Sequence, residues 1–271
     1  MQNYKLATLA LATVASLSLS NSTQADVIDV TTFGYGVDIN LDALIVGVNV
    51  GPLPFGVGGS GSTPHSLAGS VVDLDVDSGN ALATGTVTAD LVSGTASSDV
   101  DGLPGPRTAA ASGGVAGLNV DITTLPVVGS GIPIFAFDGT LSSEASVVGD
   151  FGSFAASGSS TFESLALTIN NVVIDLSAYV GVSVAPNTII DLDVLGLADV
   201  TLTLNQQIIA ADQSSIEVNA LHLQLGLIGA VEGDVRLGHS SVAMVATAVP
   251  EPTTLLAAPG LVALTLLRRR R

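Results

Sequence analysis

Asp73, Asp75 and Asp77, followed by Asn80, place four oxygen-bearing side chains within eight residues, and alternate carboxylates of this kind begin a twelve-residue Ca2+ loop. The rest of that loop is missing. Its sixth position, which needs glycine for a sharp turn, is Ser78, and its twelfth, which needs a bidentate glutamate, is Thr84. An extended strand would space these carboxylates about 6.5–7 Å apart on one face, too far for all three to reach one ion without a bend. The plain reading is a solvated strand face; the sharper one is a weak Ca2+ site at the turn, built from Asp73, Asp75, Asp77 and Asn80. Asp191 and Asp193 repeat the theme.

Other chemistry-bearing residues are sparse. Gly56-Val57-Gly58-Gly59-Ser60-Gly61 fits the glycine spacing of dinucleotide binding, but Pro52 and Pro54 precede it and Ser62-Thr63-Pro64 follow, where a buried strand and a helix N-terminus are required. A loop is expected there. His65, His222 and His239 are the only histidines and show no zinc-ligand spacing. No serine sits in a Gly-x-Ser-x-Gly elbow and no His-Glu-x-x-His occurs. With 24 acidic residues some carboxylate pair always suits glycoside hydrolysis, so that abundance discriminates nothing. No catalytic residue is assigned, and the chain is not expected to be an enzyme.

Composition narrows the class further. Cysteine is absent, which excludes disulfides, thiol catalysis and thiolate metal sites. Aromatic residues make up 4% and tryptophan is absent, against the stacking platforms of many carbohydrate and single-strand nucleic-acid sites. All the acids lie between positions 26 and 251, whereas Lys5 and the four terminal arginines leave only Arg107 and Arg236 between them. The segment between the ends is therefore roughly 22 units negative and repels nucleic acid and anionic lipid. Being 47% hydrophobic, with Val, Leu and Ile in patterned runs, the chain is expected to fold.

The elements that must carry these residues are strands. Val72-Asp73-Leu74-Asp75-Val76-Asp77 alternates apolar and acidic side chains, and Ser78-Gly79-Asn80 supplies turn chemistry before residues 82–92 resume. Further strands are expected over 36–41, 45–50, 118–122, 134–141, 164–169, 172–176, 188–192, 199–204, 215–225 and 234–237, with Asn170-Asn171 as a tight hairpin turn. Residues 51–64 and 102–117 read as long loops, and 145–161 as either a strand pair or a flexible loop. Many short strands without a fixed repeat favour an all-β antiparallel β-sandwich over a β-solenoid. Edge strands with few blocking charges are candidates for pairing between copies.

Both ends carry addresses. Lys5, the apolar residues 6–19 and Thr23-Gln24-Ala25 form an expected signal peptide over 1–25, with signal peptidase cutting after Ala25. At the other end Pro250-Glu251-Pro252 precedes a charge-free run over 253–267 and then Arg268, Arg269, Arg270 and Arg271. About fifteen uncharged residues fall short of the roughly 20 that span a bilayer, and Pro259-Gly260 weakens the helix, so the run is a marginal membrane anchor whose arginines stay cytoplasmic. Residues 247–271 resemble the PEP-CTERM sorting signal of exported bacterial proteins. That likeness implies processing by exosortase, transient residence in the inner membrane and delivery to the outer envelope, cell surface or extracellular matrix; Pro250, Glu251, Pro252 and the arginines are then recognition residues of a substrate.

The expected body, 26–246, carries a second likeness. Phe33-Gly34-Tyr35-Gly36-Val37-Asp38-Ile39-Asn40, Ala185-Pro186-Asn187-Thr188 and Ile216-Glu217-Val218-Asn219-Ala220-Leu221-His222-Leu223 resemble the choice-of-anchor P family, a surface body shared among different C-terminal anchors. The resemblance implies no chemistry. The resulting expectation is a structural or adhesive protein associated with exopolysaccharide, with a Ca2+-dependent carbohydrate-binding module and a glycan hydrolase as alternatives.

Overall fold

Period-two alternation extends well past the apolar runs and builds two antiparallel sheets. The computed structural model describes residues 26–247 apart from 44–45, 55–56, 80–82, 104, 125–131, 151, 193–198 and 229–230. In chain order the strands are β1 (Asp26–Ala43), β2 (Val46–Leu53), β3 (Gly58–Gly61), β4 (His65–Gly79), β5 (Ala83–Ser98), β6 (Arg107–Thr124), β7 (Ile132–Gly149), β8 (Ala155–Ile169), β9 (Val172–Ile174), β10 (Thr188–Ile190), β11 (Val200–Ile209), β12 (Ser215–Ile228) and β13 (Val231–Thr247). One sheet runs β10-β11-β12-β13-β1-β2, with β3 also paired to β1; the other runs β4 through β9 in chain order. Apart from a 3-10 turn at Ser177–Tyr179, the described residues hold no helix.

The inner faces pack a large core around Ile39, Leu41, Leu118, Ile122, Phe135, Phe162, Leu202 and Leu237. A smaller core of Val27, Val30, Ala109, Ala111, Val147, Ile216, Val242 and Met244 fills one end. Between the two lies a waist made of glycine and serine. A Cβ built on Gly34 or Gly113 would stand closer than 3.0 Å to backbone carbonyls of the opposite sheet, and Gly36 and Gly94 are confined the same way. Sheets with side chains between them sit about 10 Å apart, so these glycines let the backbones approach far more closely. Buried hydroxyls pin the crossing: Ser143 Oγ lies 2.9 Å from Ser240 Oγ, and Ser160 donates to Asn205 Oδ1 at 3.0 Å.

Each sheet kinks near this level. Asp73 has φ +53° and Gly117 +60° in one sheet, Asn205 +48° and Gly238 +56° in the other. At each kink the inward parity of the strand shifts by one, so that Leu237 and Ser240 both face the core although three positions apart. Paired strands kink together, and the β4–β5 and β1–β13 registers continue unbroken across the kink.

The hairpin at Asn170-Asn171 forms as expected, with φ of +49° and +63°, the left-handed pair that a two-residue turn between twisted strands requires. Residues 145–161 form a strand pair, the end of β7 with the start of β8. Two expectations are corrected. Residues 107–117 are not loop but the first half of β6, because Ala109, Ala111 and Gly113 are the small inward residues that the smaller core and the waist need. Residues 58–61 are strand β3, not loop. The solenoid alternative is also set aside, since both sheets are antiparallel.

Ala185-Pro186-Asn187-Thr188 closes an edge. The Asn187 side chain donates to Gln207 O at 3.1 Å and accepts from Gln207 N at 2.8 Å, taking the place of a peptide group beside β11. Its φ of +55° suits asparagine, and Thr188 Oγ1 fixes the turn by donating to Ala185 O at 2.7 Å.

Candidate functional site

A set of interacting polar and aromatic side chains lies on the outer face of the β1-containing sheet, where β12, β13 and β1 run side by side. Register places Asn219, His239 and Tyr35 in one row across these strands, and His222, Arg236 and Asp38 in another. Since Ser240 reaches the opposite sheet, its neighbour His239 faces away from it. These side chains are nonetheless deeply covered: Asn219 is 1% exposed, Tyr35 5% and His239 7%.

Aromatic contact begins the site. The Tyr35 and His239 rings stack with centroids 4.4 Å apart, and Phe33 meets both edge-on at 5.6 and 6.2 Å. Hydrogen bonds continue it. Asn219 Nδ2 donates to Gln206 Oε1 at 2.8 Å and to Glu217 Oε1 at 3.2 Å, which leaves Asn219 Oδ1 as an acceptor 2.7 Å from His239 Nδ1. An amide oxygen only accepts, so the His239 proton sits on Nδ1. In the second row Asp234 bridges His222 Nε2 at 2.8 Å and Arg236 Nε at 3.0 Å, and the Tyr35 hydroxyl bonds the Asp38 carboxylate.

Burial decides the charge states. It pulls the His239 imidazolium down to about 4, the nearby Glu217 carboxylate opposing and Arg236 reinforcing the shift. It drives the Tyr35 phenol well above its usual range, with Asp38 adding to the effect. Asp38 itself is raised by burial against the pull of Arg236. His239 is therefore neutral at pH 7, and the bonds of His222 and His239 run to side chains of neighbouring strands rather than to a hydroxyl nucleophile. What this arrangement does chemically is lock the central strands together through side chains of neighbouring strands.

Tyr35 gives a direct optical test. The chain has three tyrosines, Tyr4, Tyr35 and Tyr179, and no tryptophan, so a Tyr4→Phe/Tyr179→Phe variant reports Tyr35 alone. A phenol raised on folding leaves stability intact below pH 10 and erodes it above, as the unfolded chain ionises. Tyrosinate absorbance is expected to appear only together with loss of the β-sheet circular dichroism. Ionisation near pH 10 with the sheet intact would contradict the assignment.

The residues expected from sequence are dispersed. Asp73, Asp75 and Asp77 lie exposed on β4, with Asp73 at the kink, while Asn80 falls outside the described residues. Among the described residues no three His, Asp or Glu side chains converge to hold a metal ion. In the glycine motif, Gly56 lies outside the described residues, and a Cβ on Gly58 or Gly59 would run into the Phe33 or His65 ring. Packing against rings accounts for these glycines. His65 holds Thr32 Oγ1 at 2.8 Å. The signal peptide, Pro250, Glu251, Pro252 and Arg268 to Arg271 lie outside the described residues, among which no helix is long and apolar enough to cross a membrane.

A shallow recess of about 460 Å³ occurs on the outer face of the other sheet, lined by Thr95, Ser112, Glu144, Ser146, Ser157 and Ser159 among others. Its hydroxyls satisfy one another: Thr95 with Ser112 at 2.7 Å and Ser146 with Ser157 at 2.8 Å.

Sequence reasoning missed the stack around His239. Its one available signal was that two singled-out segments, 33–40 and 216–223, each place polar or aromatic residues at alternate positions, as partners on one face would. Comparison with known proteins gives no match to a family profile, a curated protein or a solved structure.

Proposed function

We propose that this chain is an exported structural or adhesive protein of the cell surface or extracellular matrix, sorted through its C-terminal tail by exosortase. The order of the tail carries the reading: Pro250-Glu251-Pro252, then a charge-free run, then Arg268 to Arg271. An apolar segment enters the membrane, and four arginines hold its far end on the cytoplasmic side. The body is a two-sheet sandwich in this reading, flanked by a cleaved signal peptide and a short transmembrane sorting helix.

The ends of the body support it. Asp26 pairs with Thr247, so both signals attach at the same end of adjacent strands. Every described β1–β13 pair except Asp26 with Thr247 lies within residues 26–246, so removing either signal spares the rest of that ladder. The strongly acidic body supports a scaffolding or adhesive role.

The test is expression of the full-length chain in an exosortase-bearing host, with intact mass and cell fraction measured beside Glu251→Ala. The native chain should lose its tail and leave the inner membrane, and the variant should be retained there with the tail uncut. An uncut tail in both removes the sorting assignment. Processed protein that binds neither its producer's polysaccharide nor itself removes the adhesive one.

A further inference from the structure

The molecule guards its sheet edges unequally. β9 and β10 are three residues each. The uncovered stretch of β8 is capped by Gly181 N donating to Phe162 O at 2.8 Å and by Gln207 Nε2 donating to Gly158 O at 2.9 Å. The edge of β11 is closed by the Asn187 amide. β2 carries Pro52, which offers no N–H, and gives way to the four-residue β3. β4 differs: it is a terminal strand of 15 residues, bonded on one side to β5.

Its charge is also lopsided. Residues 65–72 hold no carboxylate and expose Leu67 at 43% and Val72 at 63%. The left-handed kink at Asp73 ends this straight stretch, and Asp75 and Asp77 lie beyond it. Unpaired, uncharged edge backbone is a template for another strand. Which strand fits follows from the acids. A parallel, in-register partner would set like carboxylates side by side at about 5 Å. An antiparallel copy of the same segment sends them to opposite ends, the two Asp73 carboxylates about 34 Å apart at ~3.4 Å per residue with Ala68 on the axis, beyond the roughly 8–10 Å Debye length.

We propose that residues 65–71 of β4 pair antiparallel with the same residues of a second copy, Ala68 opposite Ala68, joining two six-stranded sheets into one that is continuous across a two-fold axis. The outward backbone groups of each edge are then satisfied by the other copy, and Leu67 loses exposure. The pairing is independent of how the chain is sorted, because β4 is remote in the sheet order from β1 and β13, which carry the two ends.

The absence of cysteine makes the test clean. Ala68, exposed and on the proposed axis, is replaced in the full-length chain, which is purified in mild detergent and examined by sedimentation and by oxidative cross-linking. The native chain should sediment as a dimer, and Ala68→Cys should oxidise to a linked dimer. Ser159→Cys, on the same register row four strands away, should remain unlinked. Ala68→Asp, which opposes two carboxylates across the axis, should raise the dimer dissociation constant more than tenfold while leaving unchanged the melting curve recorded at dilutions where both chains are monomers. A chain monomeric at about 100 µM, a dimer indifferent to Ala68→Asp, or linkage through Ser159→Cys alone overturns the proposal.

Discussion

Gly113→Ala is expected to unfold most of the protein. The added Cβ would lie closer than 3.0 Å to the carbonyl oxygens of Tyr35 and His239, which belong to neighbouring strands β1 and β13 of the opposite sheet. Neither obstacle is a side chain able to rotate away. Both are ladder backbone, so two central strands must shift and the Ser143–Ser240 contact beside them must lengthen. Overpacking usually costs about 1–3 kcal/mol when side chains yield; a backbone obstacle should exceed that range. A domain with about 5–15 kcal/mol in hand then loses much of its stability. The adjacent Gly114→Ala is the control, because its Cβ meets Ser142 Cβ at 3.2 Å and Ser93 Oγ at 3.4 Å on the outer face, contacts that a shift of a few tenths of an ångström relieves. Urea unfolding followed by circular dichroism should separate the two by several-fold in cost. Equal, small costs would mean that the sheets do not cross at glycine.

Acid should unfold the protein through His239. Its folded pKa is depressed to about 4, against an ordinary value of 6.5, because burial penalises the imidazolium. A base with a depressed folded pKa contributes its stability above the unfolded pKa and loses it as pH falls toward the folded one. The window is therefore pH 6.5 down to 4, with a loss of about 2 kcal/mol by pH 5 and about 3 kcal/mol by pH 4. Protonation would put a second donor on a ring already bonded through Nδ1 to Asn219 and stacked on Tyr35. Glu217 Oε1, 3.8 Å from Nδ1, softens the penalty without removing it. Stability measured by urea unfolding from pH 7 to 5 should fall for the native chain and flatten in His239→Gln, whose amide can still donate to Asn219. A slope that survives the substitution would assign the acid response elsewhere.

Much of the architecture was legible in short-range signals. Alternation at Val72 to Asp77 marks β4, and Asn170-Asn171 marks the β8–β9 hairpin, because strand faces and two-residue turns are set by neighbours in sequence. Legibility failed where strands are built from alanine, serine and glycine. Residues 107–117 carry almost no apolar period, and their inward set is small because the opposite sheet leaves no room for more. The loop reading treated small residues as flexibility; in the fold they are fitted to a close approach. The kinks hid more, since a left-handed residue such as Asn205 or Gly238 shifts the alternation by one and breaks the pattern that sequence reading follows.

What the amino-acid sequence determined alone is the all-β class, the acidic body and the order of residues at each end, because each is a property of composition or of adjacent positions. The sorting assignment rests entirely on that linear order. Tertiary structure alone decided that Tyr35 from the first strand and His239 from the last stack on one another, with Asn219 bonded to the same imidazole. It also decided that β4 is left at an edge while β1 and β13 are interior neighbours. The reason is physical: which strands become neighbours is fixed by long-range pairing and by the close packing of two sheets. No local spacing of residues encodes either directly.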